Sequence, residues 1–123
     1  MALHNELGRW GEEVAERYLE SKGYRILERD WKDKHKDLDI IAVDNGCLVI
    51  VEVKTRRLNS LVAPELAVDY RKIKNITLAT NKYVKLKCID LPIRFDIVAV
   101  TGTNDENCSV EHIEDAFLPY MFR

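Results

Sequence analysis

The sequence predicts an α/β domain in which helices flank a central mixed sheet, with the elements in the order αβββαββ. Two observations predict this fold. Segments of helical periodicity alternate with short apolar segments, and an Asn45-Gly46 pair separates two of the apolar segments as in a β-hairpin. A right-handed crossover through the second helix would make the strands before and after it parallel, either adjacent or with another strand between them. The chain has 123 residues, which is most simply a single domain covering residues 1–123.

The first helix is expected from about Glu6 to Lys22, where apolar residues recur at the spacing of one helix face. Gly8 and Gly11 each cost about 1 kcal/mol relative to alanine inside a helix, so both suggest a close approach to the sheet. Glu12 falls at the edge of the apolar face. It is therefore either a neighbour of the hairpin described below or an ordinary surface acid.

Three strands should follow. Tyr24 to Glu28 predicts the first strand, and Arg29 to Lys36 predicts a charged loop. Ile40 to Val43 and Leu48 to Val53 are apolar on both faces, which is typical of strands covered on both sides. The Asn-Gly pair between them favours a type I′ turn, because both central residues of that turn need a positive φ.

The second half of the chain predicts a helix and two further strands. The helix should run from about Asp69 or Tyr70 to Lys87, although Pro64 could also occupy a first helical position. Leu58 to Pro64 has no clear period and is expected to be a loop. Pro92 to Val100 predicts a buried strand, and Ser109 to Ile113 predicts an edge strand.

The hairpin register brings two acids together. Counting outward from the turn places Asp39 opposite Glu52 and Asp37 opposite Lys54, all on one face. Two carboxylates about 5 Å apart repel by roughly 3 kcal/mol at an effective dielectric near 20. Either Lys54 or a divalent cation could offset that repulsion, and oxygen ligands suit Mg²⁺ or Mn²⁺ better than zinc. The alternative is an exposed ion-pair cluster at the end of the sheet.

The net charge and the cysteines narrow the possible partners and cofactors. A formal charge of −2 predicts no strong overall attraction to nucleic acid, so such a partner would need a local basic patch. Three widely spaced cysteines indicate buried reduced thiols rather than a disulfide framework or a structural zinc site. No apolar run is long enough to cross a bilayer and no signal peptide is recognisable, so a soluble, cytoplasmic protein is expected.

Basic residues gather near the acidic pair and along the second helix. On the helix, four of them fall within about 80° of one another at 3.6 residues per turn. The candidate nucleic-acid contacts are Arg56, Arg57, Arg71, Lys72, Lys74, Lys82 and Lys85. A cationic helix face suits a phosphate backbone, although such faces are often only solvated.

The order of Asp39 and then Glu52-Val53-Lys54 after a short hairpin resembles the PD-(D/E)xK nuclease superfamily. More narrowly, the chain resembles the YraN-type endonuclease-like family, which is related to archaeal Holliday junction resolvases. The matching positions run from Leu7 to Phe117 and include Gly8, Gly11-Glu12, Ala15, Tyr18-Leu19, Asp39-Ile40-Ile41-Ala42, Val51 to Arg56, Ala67-Val68, Lys72, Arg94 to Val98, His112-Ile113 and Ala116-Phe117.

The resemblance implies a restriction-endonuclease-like fold and a role for each matched residue. Asp39 and Glu52 would hold Mg²⁺ or Mn²⁺ together with the carbonyl of Val53, and Glu12 would add a carboxylate. Lys54 would orient the attacking water and stabilise charge on the phosphate. The implied activity is hydrolysis of DNA phosphodiester bonds, with branched, damaged or single-stranded DNA among the candidate substrates.

The resemblance leaves an alternative function open and bears on the oligomeric state and on His112. The alternative function is a catalytically silent module that binds nucleic acid or a protein on the same fold. A homodimer is implied because related resolvases act as dimers. His112 belongs to the carboxy-terminal pattern of the family, and we interpret it as structural rather than catalytic.

Overall fold

The computed structural model describes residues 2–58 and 68–120. Within them the elements follow the predicted order αβββαββ, which is confirmed. The helices are α1 (Ala2–Ser21) and α2 (Tyr70–Lys87), and the strands are β1 (Arg25–Asp33), β2 (Lys36–Asp44), β3 (Cys47–Arg56), β4 (Ile93–Asn104) and β5 (Asn107–Ile113). The expected loop from Leu58 to Pro64 lies, after its first residue, outside the described residues, as does Pro64 as a helix start.

The five strands form one mixed sheet in the order β1-β2-β3-β4-β5. β3 and β4 are parallel neighbours, and the other adjacent pairs are antiparallel. Of the two arrangements that the crossover left open, the adjacent one is therefore found. α2 connects β3 to β4 along the chain. The first turn of α2 lies close to β3, where Lys72 contacts Glu52.

The β2–β3 hairpin has the predicted register. Asp44 pairs with Cys47, and the ladder continues to Ile40 opposite Val51. Asn45 and Gly46 both have positive φ, at 49° and 74°, as a type I′ turn requires. The ladder stops there, so the expected pairs of Asp39 with Glu52 and of Asp37 with Lys54 do not belong to it.

The predicted end of the first strand at Glu28 is wrong. β1 continues to Asp33 and pairs with β2 along its whole length, with Trp31 opposite Leu38. A bulge after Ile26 and the positive φ of Asp30 break the alternation of side chains, which hides the strand period in the sequence. Charged side chains are also common on edge strands, where they oppose pairing with other chains.

The helices cover opposite faces of the sheet. α1 packs on a core cluster that includes Ala15 and Leu19, and α2 packs on a second cluster that includes Ile76 and Tyr83. A Cβ placed on Gly11 would overlap the side chain of Thr55, which confirms close approach at that glycine.

The same expectation for Gly8 is wrong, because a Cβ there would meet no atom within 4 Å. The expectation of buried thiols is also wrong. Cys47, Cys88 and Cys108 are free, as predicted, but Cys88 is exposed and the other two are only partly buried. No helix among the described residues is both long enough and apolar enough to span a membrane.

Candidate functional site

A cleft of about 300 Å³ opens where α1, β2, β3 and α2 meet. It brings together side chains that are distant in the sequence. Its lining consists of Leu7, Gly8, Glu12, Asp39, Glu52, Val53, Lys54, Thr55 and Lys72. The four predicted catalytic residues, Glu12, Asp39, Glu52 and Lys54, therefore all lie on this one cleft.

Asp39 occupies the point at which β2 and β3 separate. Its Oδ2 accepts a hydrogen bond of 2.9 Å from the backbone N–H of Val53, and so takes the place of a ladder carbonyl. Leu38 packs in the α2 cluster whereas Ile40 packs in the α1 cluster, so the strand rotates at Asp39. Burial raises the pKa of Asp39, while the Val53 N–H and then the charge of Lys72 act in the opposite direction.

Glu52 is almost completely buried, with 4% of its surface exposed. Lys72 Nζ lies 3.4 Å from Glu52 Oε2, and Lys54 Nζ lies 3.9 Å from the same oxygen. Burial, followed by the charge of Asp39, raises the pKa of Glu52 to about 8 even though both lysines lower it. Near neutral pH, ionisation of both carboxyl groups of the Asp39–Glu52 pair is therefore unfavourable.

Lys72 lines the cleft and does not lie on the outer side of α2. Asp69 caps α2, and its side chain accepts a hydrogen bond of 2.9 Å from the Lys72 N–H, which fixes the first turn. Burial lowers the pKa of Lys72, but the Glu52 and Asp39 carboxylates outweigh burial and the net shift is upward. The sequence predicted that α2 starts at about Asp69 or Tyr70, but it gave no signal for which residue would meet Glu52.

Glu12 reaches the cleft from α1. Burial, and then the charge of Asp39, raises its pKa to about 7. The close contact of Gly11 with Thr55 sets this part of α1 against β3. The structure thus favours the interpretation of Glu12 as a neighbour of the hairpin acids over that of an ordinary surface acid.

The donors of the cleft are suitable for a hard cation. Among residues 2–58 and 68–120, no three His, Cys, Asp or Glu side chains form a group that could hold a metal ion by themselves. Asp39 and Glu52 nevertheless offer adjacent carboxylates whose charges are unfavourable together. Carboxylate oxygens with water completing the shell are the usual environment of Mg²⁺. The residues present therefore fit Mg²⁺ or Mn²⁺ held by a carboxylate pair.

The other six predicted nucleic-acid contacts lie outside the cleft. Arg57 and Arg71 are exposed. Arg56 Nε donates to Thr101 Oγ1 at 3.3 Å, and Lys74 Nζ lies 5.4 Å from the centre of the Tyr120 ring. Lys82 and Lys85 line a different cleft on the outer side of α2.

Asp37 also departs from its expected place. It pairs with Lys32 of β1, with Lys32 Nζ 3.8 Å from Asp37 Oδ2, and it is not in the ladder opposite Lys54. Its charge still reaches the cleft, because it raises the pKa values of both Asp39 and Lys72.

A second buried acid, Asp96, was not singled out from the sequence. Arg94 Nε and Nη2 donate to its two oxygens at 2.9 Å each, and the Asp115 N–H donates at 3.0 Å. His112 Nε2 lies 2.7 Å from Asp96 Oδ2. His112 is buried against Tyr18 and Tyr24 and does not line the cleft, in keeping with a structural role.

The sequence matches the family model described as "Uncharacterised protein family UPF0102" over residues 11–100. This chain belongs to the UPF0102 family. It is 50% identical over 122 residues to a UPF0102 protein of Bacteroides thetaiotaomicron, covering 99% of this chain and 100% of that one. A UPF0102 protein of Porphyromonas gingivalis is 46% identical over 118 residues, which cover 95% and 87% of the two chains.

A third relative, UPF0102 protein FP2501 of Flavobacterium psychrophilum, is 45% identical over 117 residues, which cover 95% and 98% of the two chains. The YraN-type family expected from the sequence is thus confirmed as UPF0102. None of these UPF0102 names states an activity.

Proposed function

We propose that this protein is a metal-dependent endonuclease that hydrolyses phosphodiester bonds in DNA. The observation that carries the proposal is the pair of buried Glu52 and half-buried Asp39, which shares one cleft with Lys54, Lys72 and Glu12. Acids, lysines and an opening to solvent are the parts that metal-assisted hydrolysis of a phosphodiester needs.

The charge state of the pair supports a cation. Burial and mutual repulsion raise the pKa values of both carboxyl groups, so the folded protein bears a cost for ionising them. A bound divalent cation would offset that cost. When bound, Mg²⁺ or Mn²⁺ supplies Lewis acidity toward a phosphoryl oxygen and lowers the pKa of a bound water.

The charged residues of the cleft each have a role in this proposal. Asp39 and Glu52 hold the cation, and the Val53 N–H fixes the orientation of Asp39. Lys54, which is partly exposed, stabilises negative charge that develops on the phosphate. Lys72, whose Nζ lies 3.4 Å from Glu52 Oε2, lowers the cost of ionising Glu52 and so favours the form that binds a cation.

Glu12 and Val53 complete the proposed site. Glu12 supplies a third carboxylate, and with a pKa of about 7 it can hold or release a proton near neutral pH. A metal contact through the Val53 carbonyl stays a prediction, since the contact found at Val53 is through its N–H. The homodimer implied by the family resemblance likewise stays a prediction.

A second candidate function is a module that binds nucleic acid without cutting it. Two lysines already approach Glu52, and no ready-made three-acid metal group exists among the described residues. In this case Lys54 and Lys72 would serve as permanent counter-charges, and DNA affinity would survive Glu52→Gln.

Calorimetric titration of Mg²⁺ and Mn²⁺ into wild-type protein and into Asp39→Asn distinguishes the two candidates. Asp37→Asn is the matched control, because Asp37 lies on the same strand but is 41% exposed and paired with Lys32. The nuclease proposal expects binding in wild type and in the control, and loss of binding in Asp39→Asn.

A cleavage screen in the same buffers completes the test. Branched, nicked and single-stranded DNA should be cut by wild type and by Asp37→Asn, but not by Asp39→Asn. Absence of both metal binding and cleavage in wild type would reject the nuclease and leave the binding module.

A further inference from the structure

A second cleft, of about 350 Å³, lies between the β1–β2 turn and the outer side of α2. Four lysines and one acid line it, together with an amide and an apolar side chain. The residues are Asp33, Lys34, Lys36, Leu78, Asn81, Lys82 and Lys85. We call this cleft the lysine groove.

The four lysines of the groove differ from those around them. Lys32, just before the turn, pairs with Asp30 at 3.0 Å, and Lys87 at the end of α2 pairs with Glu28 at 4.0 Å. By contrast, Lys34, Lys36, Lys82 and Lys85 have no ion pair within the described part of the chain. Asp33 is the single acid in the lining.

An uncompensated group of like charges around a concave surface raises the local potential. The groups repel one another, and an anion held between them would offset the repulsion. Lysine ammonium groups act as point charges toward phosphate, and the Asn81 amide can donate hydrogen bonds. The chemistry of the groove therefore suits phosphate groups rather than an apolar or cationic ligand.

The groove lies at a distance from the Asp39–Glu52 cleft that a nucleic acid could span. Lys36 precedes Asp39 by three residues on β2, or about 10 Å at the rise of a strand. Lys85 follows Lys72 by thirteen residues on α2, or about 20 Å at the rise of a helix. At 3.4 Å per base pair, these lengths correspond to roughly three to six base pairs.

We infer that the lysine groove binds backbone phosphates of a nucleic acid whose scissile bond is held at the Asp39–Glu52 cleft. The inference rests on the proposed function for the choice of ligand, and it adds Lys34 and Lys36 to the contacts. The substrate is then a polymer that extends several nucleotides beyond the cut. A mononucleotide ester or another small phosphate ester would not reach the groove.

DNA affinity in the absence of metal tests the inference without requiring cleavage. Fluorescence anisotropy is measured in EDTA with a labelled duplex of about 20 base pairs, which is long enough to cover both clefts. The variant is Lys82→Gln with Lys85→Gln, and a second variant, Lys34→Gln with Lys36→Gln, alters the other wall. Lys34, Lys82 and Lys85 are exposed and Lys36 is partly exposed, and circular dichroism checks that each variant folds.

The matched control removes two positive charges from the opposite layer. Arg17 and Lys22 are exposed residues of α1 and of the turn after it, and both are changed to Gln. We expect each groove variant to bind DNA about 10-fold more weakly, and the slope of log affinity against log salt to fall by about 1 to 2. The control should lose at most about 2-fold, through net charge alone.

Equal affinity and equal salt slope in the groove variants and the control would overturn the inference. So would a wild-type protein with no measurable DNA affinity. Tight calorimetric binding of inorganic phosphate that the groove variants abolish, without any change in DNA affinity, would assign the groove to a free anion and would also overturn it.

This test fails separately from the proposed function. If the groove variants weaken DNA binding but wild type never cuts DNA with Mg²⁺ or Mn²⁺, DNA binding by the groove is supported and the nuclease proposal is rejected. If wild type cuts DNA and the groove variants bind it normally, the nuclease proposal is supported and DNA binding by the groove is rejected.

Discussion

Asp96 and Glu52 are both buried acids of the central sheet, yet their surroundings shift their pKa values in opposite directions. Asp96 is 0% exposed and Glu52 is 4% exposed. Asp96 accepts hydrogen bonds from Arg94 and the Asp115 N–H and contacts His112. Glu52 instead shares its site with a second carboxylate, Asp39, and its lysines lie at 3.4 and 3.9 Å.

The direction of the pKa shift separates the two sites. Burial raises the pKa of Asp96, but the His112, Arg94 and Asp115 contacts reverse that effect and lower it overall. The pKa of Glu52 rises to about 8 because burial and Asp39 outweigh the lysines. A buried acid whose partners favour its ionised form holds the fold together, whereas two carboxyl groups that repel each other in an open cleft are available for a ligand.

The largest expected effect is at the satisfied acid. Asp96→Asn leaves Arg94 without its bidentate partner and should lower the free energy of unfolding by about 3 kcal/mol. Urea denaturation measures it. Asp105→Asn is the control, since its pair with Arg17 is exposed and should contribute less than about 1 kcal/mol. Equal losses in the two variants would contradict the structural role of Asp96.

A change on α1 should disturb the cleft and spare the Asp96 site. Gly11→Ala forces a Cβ against Thr55 and should cost about 2 kcal/mol through overpacking. Gly8→Ala meets no atom within 4 Å and should be neutral or stabilising by up to about 1 kcal/mol. Thermal unfolding checks both. The imidazole NMR signals of His112 should not move in Gly11→Ala, and a shift there would show that the two sites are coupled.

Removal of the Glu52 carboxylate, whose charge Asp39 and burial disfavour, should stabilise the protein. Glu52→Gln relieves the repulsion with Asp39 and should raise the free energy of unfolding in EDTA at pH 8 by at least about 1 kcal/mol. The same variant should lose Mg²⁺ binding. Denaturation in EDTA and calorimetry with Mg²⁺ measure the two effects, with Asp37→Asn as the control. A destabilised Glu52→Gln protein would mean that Lys54 and Lys72 satisfy the carboxylate after all.

The pH dependence of stability should differ at the two acids. The lowered pKa of Asp96 gives stability that is present above its ordinary pKa and is lost as the pH falls below about 4. Glu52 has the opposite sign. Its raised pKa means that stability is greatest below the ordinary value of 4.5 and is lost as the pH rises toward about 8.

Metal-free protein should therefore lose on the order of 3 kcal/mol between pH 5 and pH 8, and Mg²⁺ should remove that loss. Denaturation at a series of pH values, with and without Mg²⁺, provides the measurement. A flat profile in EDTA would contradict the charge state assigned to Glu52.

Sequence alone was sufficient where the determining signal is local. Asn45-Gly46 fixes the turn because few other pairs accept positive φ at both positions, and the apolar segments beside it fix the strands. The register then placed Asp39 near Glu52. For Glu12 the helix face left two interpretations open, and the contact between Gly11 and Thr55, which are distant in the sequence, decided for a neighbour of the hairpin acids.

Tertiary structure decided the contacts between distant segments. Lys72 meets Glu52 only because the crossover through α2 returns its first turn to β3. Asp96 is satisfied only where β5 and Asp115 fold back onto β4, and the lysine groove exists only because β1 runs on to a short turn beneath α2. Local preferences set which elements form, but the electrostatic surroundings of a buried charge depend on groups that meet only after the sheet and helices have packed.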